Sequence, residues 1–369
     1  MGAGIVGCAT AWELARRGVR VALLDRGEIS GGTTGLGEGN VLCSDKEPGP
    51  ELSLARFGLG LFDEIEELLG EAAGIRRKGA LVVHAAEAGW AAEPERLERI
   101  RDGGVECSLM APADVREAEP ELRGKLLGAS WFPRDLQCAP RAIARGLARE
   151  AERLGAVVSP GVGVASIVVR NDRIEGVETG AGLLTADAVV LAAGPWSSPL
   201  ARSAGLELPV EPRKGQLVRL ERRPEFLRCK VIDGGYMAAV ASADAGLQVS
   251  TVMESTLDGY VLVGSSRERR GFDVSVDPAV SDALLRAAVR LAPGVGGLRV
   301  DSAWAGLRPW LPGALPAIGA SSAADGLWVA TGHEGAGVAH GPITGRLVAQ
   351  AMCGETPELD LEPFNPDRF

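Results

Sequence analysis

Gly2-Ala3-Gly4-Ile5-Val6-Gly7, at the start of the chain, is the stretch on which the fold turns. The spacing is that of a dinucleotide-binding turn. The first glycine permits a tight bend, the second lets backbone approach a pyrophosphate, and the third lets the following helix pack against its strand. Helix N-termini offer free N–H groups and the positive end of a dipole to phosphate. Ile5, Cys8, Ala9, Trp12 and Ala15 recur at helical spacing through about Arg17, and Gly18 closes the helix. Val19 to Leu24 then predicts a short buried strand ending on Asp25, where an acid would meet a ribose hydroxyl. A dinucleotide fold also needs a buried strand of about five or six residues before the first glycine. Met1 alone stands there. The expectation is that the chain as given begins inside its first strand, so that apolar residues added ahead of Met1 raise stability and cofactor content together.

Two further junctions repeat this texture. Ala188 to Ala193 runs into Gly194-Pro195, and Leu327 to Ala330 runs into Gly332-His333-Glu334-Gly335-Ala336-Gly337, followed by an apolar-periodic helix from about Val338 to Met352. Pro140 to Gly155 reads as a helix with Ile143, Leu147 and Leu154 on one side, feeding a strand near Ala156 to Val158. Val164 to Val169 and Arg173 to Glu178, joined through Asn171-Asp172, read as a hairpin leading to a strand from Leu183 to Ala193. Elsewhere the strands Gly79 to Ala85, Lys214 to Leu220, Leu247 to Met253, Tyr260 to Gly264 and Leu298 to Leu307 mostly lack long intervening helices. They predict a largely antiparallel sheet, broken by helices near Ala91 to Arg101 and Pro278 to Leu291. The fold class is therefore α/β. A Rossmann-like dinucleotide-binding domain from residues 1–70, 139–204 and 314–369 is interleaved with an α+β substrate domain from residues 71–138 and 205–313.

With 369 residues, 46% of them hydrophobic, the chain can bury a large core. Its apolar runs fall far short of the roughly 18 residues of a membrane span, and no basic-then-apolar leader opens it, so a cytoplasmic location is expected. A net charge of −10, with no basic block beyond Arg267, Arg269 and Arg270, argues against nucleic acid as a partner. The six cysteines show no C-x-x-C pair, which indicates neither a disulfide framework nor a metal site.

Taken with Ser30-Gly31-Gly32-Thr33-Thr34, Pro133-Arg134-Asp135, Ala192 to Trp196, Lys214-Gly215-Gln216, Trp304 to Pro309 and Gly332 through Gly345, the glycine turn gives the chain a recognisable likeness. It resembles the D-amino-acid oxidase/glycine oxidase superfamily over nearly its whole length. The resemblance implies FAD, held noncovalently, because Trp310 to Ala320 contains no cysteine where sarcosine oxidases tether their flavin. It implies a cofactor set of Gly2, Gly4, Ile5, Val6, Gly7, Asp25, Arg26, Asn40, Ala193 and Gly194. Gly31, Thr33 and Thr34 would lie beside the pyrophosphate and flavin, Val164 on the adenine side, and Gly335, Ala336, Gly337 and Val338 against the pyrimidine ring.

For the reaction, the likeness implies oxidation of an amino acid or amine by hydride transfer from the α-carbon to flavin N5, giving an imine. Arg308 precedes Pro309 and is expected to emerge at a strand end. Its counterpart in glycine oxidase-like members grips the substrate carboxylate, the alternative being a structural ion pair. Lys214 and Arg267 stand next in line for that task. His333 and Glu334 could contact substrate or tune the flavin, whereas His84 reads as a structural imidazole. Gly332-His333-Glu334-Gly335 and Gly264-Ser265-Ser266-Arg267-Glu268 resemble the flavin subunits of hydrogen cyanide synthase and of hydroxyproline or opine dehydrogenases. A D-amino acid, a proline-like amino acid or an N-alkyl glycine is therefore the expected substrate, with a partner subunit or separate electron acceptor in view. Two other readings stand beside this one: a 2-hydroxy-acid oxidoreductase using the same arginine, and a non-catalytic subunit keeping the fold for assembly.

Overall fold

The computed structural model describes residues 1–369, the side chain of Ala241 apart. Helix Ile5–Arg16 is buried on almost every side, because helices Gly337–Met352 and Pro140–Arg153 flank it. Gly341 and Gly345 ride directly on Ile5 and Ala9, so the first and last helices approach closely. The one acid inside this helix, Glu13, is paired with Arg346 at 2.9 Å and Arg17 at 2.6 Å, as a buried carboxylate must be.

Strand Ala22–Asp25 pairs in parallel with Val157–Pro160. Val189–Leu191 pairs in parallel with Leu327–Thr331, which also carries the antiparallel Ala317–Ala320. Residues 1 and 2 bridge these two sheets. Gly2 N donates to Leu24 O at 2.8 Å, the Met1 ammonium to Val190 O at 2.8 Å, and Ala192 N to Met1 O at 3.0 Å. The strand after the first helix is shorter than expected: the turn at Gly18 (φ +75°) leaves Val19 exposed, and pairing starts where Val157 N reaches Val21 O. Leu154 likewise lies past the end of helix Pro140–Arg153 and is exposed, not on its buried side.

The hairpin Val164–Arg170/Arg173–Thr179 turns through Asn171 (φ 51°) and Asp172 (φ 58°), the pair of positive φ values that a two-residue type I′ turn requires. The expected strand from Leu183 to Ala193 is two strands. Gly182–Thr185 joins the hairpin, Ala186 N still reaches Glu175 O, and the chain then crosses to pair as Val189–Leu191 with Leu327–Thr331. One apolar run thus serves two sheets.

Eight strands form the large sheet, in the order Val300–Trp310, Glu211–Arg222, Tyr260–Arg267, Gln248–Ser255, Lys230–Asp233, Ala80–His84, Gly128–Phe132 and Ser108–Met110. All neighbours are antiparallel except Lys230–Asp233 against Ala80–His84. Helix Pro278–Leu291 covers one face, burying Val280, Leu284 and Ala288 with Val218, Val261, Val263 and Met253. Alternation along the strands sends Arg213, Gly215, Leu217, Gly264, Lys230 and Ile232 to the opposite face. Strand Val300–Trp310 continues through Arg308 and Pro309 instead of ending before them, placing Arg308 opposite Arg213. It is an edge strand, where a residue without N–H breaks no ladder bond. Among the described residues no helix is long and apolar enough to cross a membrane.

Candidate functional site

Gly2 sits at φ +97°, with its Cβ direction aimed at Ala192 O, and any side chain at Gly7 would overlap Gly2 O. Only glycine fits either position, and the bend brings the start of helix Ile5–Arg16 to the edge of a cavity of about 690 Å3. Gly4, Ile5 and Val6 line it. They carry the helix's first N–H groups, which have no intrahelical partners. Ile5 N donates to Thr34 Oγ1 at 3.0 Å, and Ala3 N and Gly27 N donate to the two Asp25 oxygens at 2.7 and 2.8 Å. Asp25 thus braces the turn, while each of its oxygens keeps a lone pair for a further donor.

Of the residues expected to hold a cofactor, Gly2, Gly4, Ile5, Val6, Asp25, Arg26, Gly31, Thr33, Thr34, Asn40, Val164, Ala193, Gly194, Gly335, Gly337 and Val338 line this single cavity, together with Arg308, His333 and Glu334. Gly7 and Ala336 do not. Gly7 lies under the turn, and Ala336 faces a smaller recess beside Lys46 and Trp310. Trp196 is a lining residue the sequence reading did not single out. The Arg26 guanidinium lies 4.2 Å from its ring centre, and Phe272 stacks on it at 5.8 Å.

At the large-sheet end, three guanidiniums gather around one carboxylate. Glu334 Oε1 lies 3.1 Å from Arg267 Nε, 3.7 Å from Arg213 Nη1 and 3.9 Å from Arg308 Nε. Burial opposes the Glu334 charge, but the guanidiniums of Arg267, Arg308 and Arg213 outweigh it and hold the carboxyl at about 2. The three cations are anchored unequally. Arg213 donates to the carbonyls of Ala239, Val240 and Ser242 and to Gln248 Oε1. Arg267 donates to Tyr236 Oη at 2.7 Å and lies over that ring. Arg308 has one fixed bond, to Ser266 O at 2.9 Å. Its guanidinium lies over Gly215, where any side chain would occupy the same space. Burial and the neighbouring Arg267 push Arg308 below its usual range, and burial brings Arg213 down to about 10. The cluster therefore carries a surplus of positive charge beside unused donors, a setting that an incoming carboxylate would satisfy.

His333 turns toward helix Gly337–Met352. Its Nε2 lies 3.0 Å from Thr344 Oγ1, and burial lowers it to about 3, so the ring is neutral at ordinary pH. His84 packs against Trp90 in the large sheet. Lys214, held by Asp273 at 2.8 Å, is not among the lining residues. A second charged group does reach the cavity, through Glu38, which the sequence reading did not identify. Glu38 accepts from Asn40 Nδ2 at 2.7 Å and from Lys230 Nζ, and Lys230 lies 3.5 Å from Glu254, which Lys78 meets at 3.0 Å. The available signals were an acid between two glycines, Gly37 and Gly39, and a lysine inside the apolar run Cys229 to Ile232. A charge in a buried strand demands a partner.

These features suit a dinucleotide flavin: a side-chain-free turn, helix N–H groups, an acid at the strand end and a long cleft reaching an arginine cluster. Residues 1–351 match the family described as FAD dependent oxidoreductase. A glycine oxidase of Pseudomonas aeruginosa is 30% identical over 99% of this chain and 97% of its own length. The hydrogen cyanide synthase subunit HcnC of the same organism is 34% identical over 69% of this chain and 58% of its own. The crystal structure of an iminodiacetate oxidase from Chelativorans sp. BNC1 superimposes with a TM-score of 0.85 at 28% identity, covering 99% and 97% of the two chains. The chain belongs to this D-amino-acid oxidase family of FAD-dependent oxidoreductases, and its chemistry is the oxidation of amines or amino acids.

Proposed function

We propose that the protein oxidises a cyclic or secondary α-amino acid, proline-like or N-alkylated, at its Cα–N bond to give the imine. The observation that carries this reading is Arg308: half-buried, bound once, and facing the cavity from a cluster with positive charge to spare. Arg308 grips the substrate carboxylate and fixes the α-carbon in place. Gly215 and Gly306, Cα partners in adjacent strands, line the cavity next to Arg308, and this small lining supports a ring or an N-alkyl group. An iminodiacetate oxidase among the similar structures points the same way.

When bound, FAD supplies the acceptor for the two electrons that leave the Cα–H bond. Gly2, Gly4, Ile5, Val6, Asp25, Thr33 and Thr34 would hold its diphosphate and ribose. Gly335, Gly337 and Val338 would meet its ring, where the start of helix Gly337–Met352 favours negative charge. Glu334 keeps Arg267 and Arg213 in place and leaves Arg308 to the substrate. The large sheet, drawn from residues 80–132 and 211–310, supports the division into interleaved cofactor and substrate domains. One relative is named as a subunit, and on that ground the electrons are proposed to pass to a partner protein. Rapid reoxidation of the reduced protein by air would refute that route.

The test is an anaerobic titration of the FAD-loaded protein with D- and L-proline, hydroxyproline, N-methylglycine, glycine and 2-hydroxy acids, read as loss of flavin absorbance. Bleaching by the amino acids, with imine as product, is expected. Bleaching by 2-hydroxy acids alone would refute the reading. Arg308→Met should raise KM for the best amino acid on the order of a hundredfold while FAD stays bound, as befits loss of one partner of a desolvated charge pair. Lysine at the same position should rescue only partly, since it presents a point charge and no planar fork.

A further inference from the structure

Glu38 is a cavity-lining carboxylate whose two oxygens do different things. Oε2 takes the hydrogen bonds from Asn40 and Lys230. Oε1 takes none among the described residues and stands over Gly264, where a Cβ would come within 2.8 Å of it. Gly264 and Gly215 lie on adjacent strands of the large sheet, with Glu38 and the Leu217 side chain over the first glycine and the Arg308 guanidinium over the second. The Glu38 charge is felt at Arg308. Behind Glu38, Lys230 is shared with Glu254, and Glu254 with Lys78, so the carboxylate is held in position from within the sheet.

A carboxylate oxygen that accepts no hydrogen bond and a guanidinium with one fixed bond, lining the same cavity, match a zwitterion. We infer that Glu38 Oε1 is the acceptor for the substrate's amino nitrogen, and that it sets the preference for an amine over an oxygen analogue of the same shape. The inference rests on the amino-acid reading above and deepens it. A secondary ammonium has two N–H donors and its neutral form has one, so Oε1 keeps a hydrogen bond in either state. An ether oxygen in that position offers no donor and sets lone pairs against the carboxylate. Glu38 is thus a specificity-determining residue that works with Arg308: the arginine selects the carboxylate, the glutamate the nitrogen.

The experiment compares proline with its ring-oxygen analogue, tetrahydrofuran-2-carboxylate, and N-methylglycine with methoxyacetate. Each is mixed anaerobically with FAD-loaded wild type and E38Q, the ether Kd being read from the shift of the oxidised flavin spectrum and the amine Kd from the concentration dependence of the bleaching rate. Wild type should bind the amine of each pair more tightly. In E38Q the amine Kd should rise at least tenfold while the ether analogue binds as well as before or better, since the amide NH2 can donate to it. Because E38Q leaves Lys230 less fully paired, E38Q/K230M, which removes one charge of each sign, is run alongside and should show the same collapse of preference. An amine-to-ether ratio in the variants equal to that of wild type would overturn the inference, as would a wild type that binds both members equally. Bleaching of the wild-type flavin by 2-hydroxy acids alone is the separate result that would remove the amino-acid reading itself.

Discussion

Two groups of charged side chains flank the cavity, withdrawn from water to a similar degree, and they are balanced differently. Lys78, Lys230, Glu38 and Glu254 alternate in sign along a closed chain, with side-chain exposures of 12%, 2%, 10% and 1%. Arg213, Arg267 and Arg308 share the single carboxylate of Glu334, with exposures of 2%, 1%, 15% and 11%. In the first group, burial lowers Lys78, whereas at Lys230 burial is outweighed by Glu254 and Glu38 and the pKa rises. In the second, burial is outweighed at Arg267 by Glu334 and Tyr236, whereas burial and mutual repulsion lower Arg308 and Arg213. Burial alone therefore does not mark a binding site. What marks it is charge left uncompensated after the internal pairs are made, because only that remainder is available to a ligand.

The contrast breaks most directly at Lys230. Lys230→Met leaves Glu38 without its cation and Glu254 with Lys78 alone, and removing one partner of a buried pair costs about 3–5 kcal/mol. Urea unfolding should show that loss, and E38Q should lose less, because Lys230 keeps Glu254 at 3.5 Å. Arg308→Met should behave in the opposite sense: it removes one of three like charges, so its melting temperature should stay at or above that of wild type even as substrate affinity falls. A large drop in stability would place Arg308 with the closed chain.

A smaller effect concerns pH. His333 is held at about 3 by burial, below its ordinary value of 6.5. The unfolded chain therefore binds a proton between these values that the folded chain does not. The contribution is fully present above pH 6.5 and is lost progressively as pH falls toward 3, by about 2 kcal/mol at pH 5. Melting temperatures from pH 7.5 to 5 should fall more steeply for wild type than for His333→Gln; parallel curves would show the imidazole titrating normally. Asp135 works the other way, raised to about 7 by burial, and is common to both proteins. The least demanding check is on the cofactor: acid precipitation should release the flavin colour into the supernatant, whereas colour in the pellet would show a covalent link.

The glycine turn was legible because a bend with φ +97° and a backbone oxygen in the Cβ direction leaves one residue type that fits. That constraint is local, and so it is written locally. Arg308 was visible as a candidate but misplaced, since Pro309 reads as a strand terminator, whereas an edge strand accommodates it. The run from Leu183 to Ala193 looked continuous because hydrophobicity does not record which sheet a residue joins. Glu38 and Lys230 are 192 positions apart. Nothing near either residue names the other, and only the order of strands brings them together.

The cross-strand register also constrains how this site can change over generations. Arg213 and Arg308 face each other as Cα partners in adjacent strands, an arrangement in which like charges repel. Glu334 is the counter-ion common to both and to Arg267. Replacing Glu334 would leave three guanidiniums unneutralised, whereas replacing Arg308 leaves Glu334 paired with Arg267 and Arg213. The substitutions are therefore not equivalent: a lineage can exchange the carboxylate-binding arginine for another specificity while the glutamate stays, but a path that starts at the glutamate begins with a loss of stability.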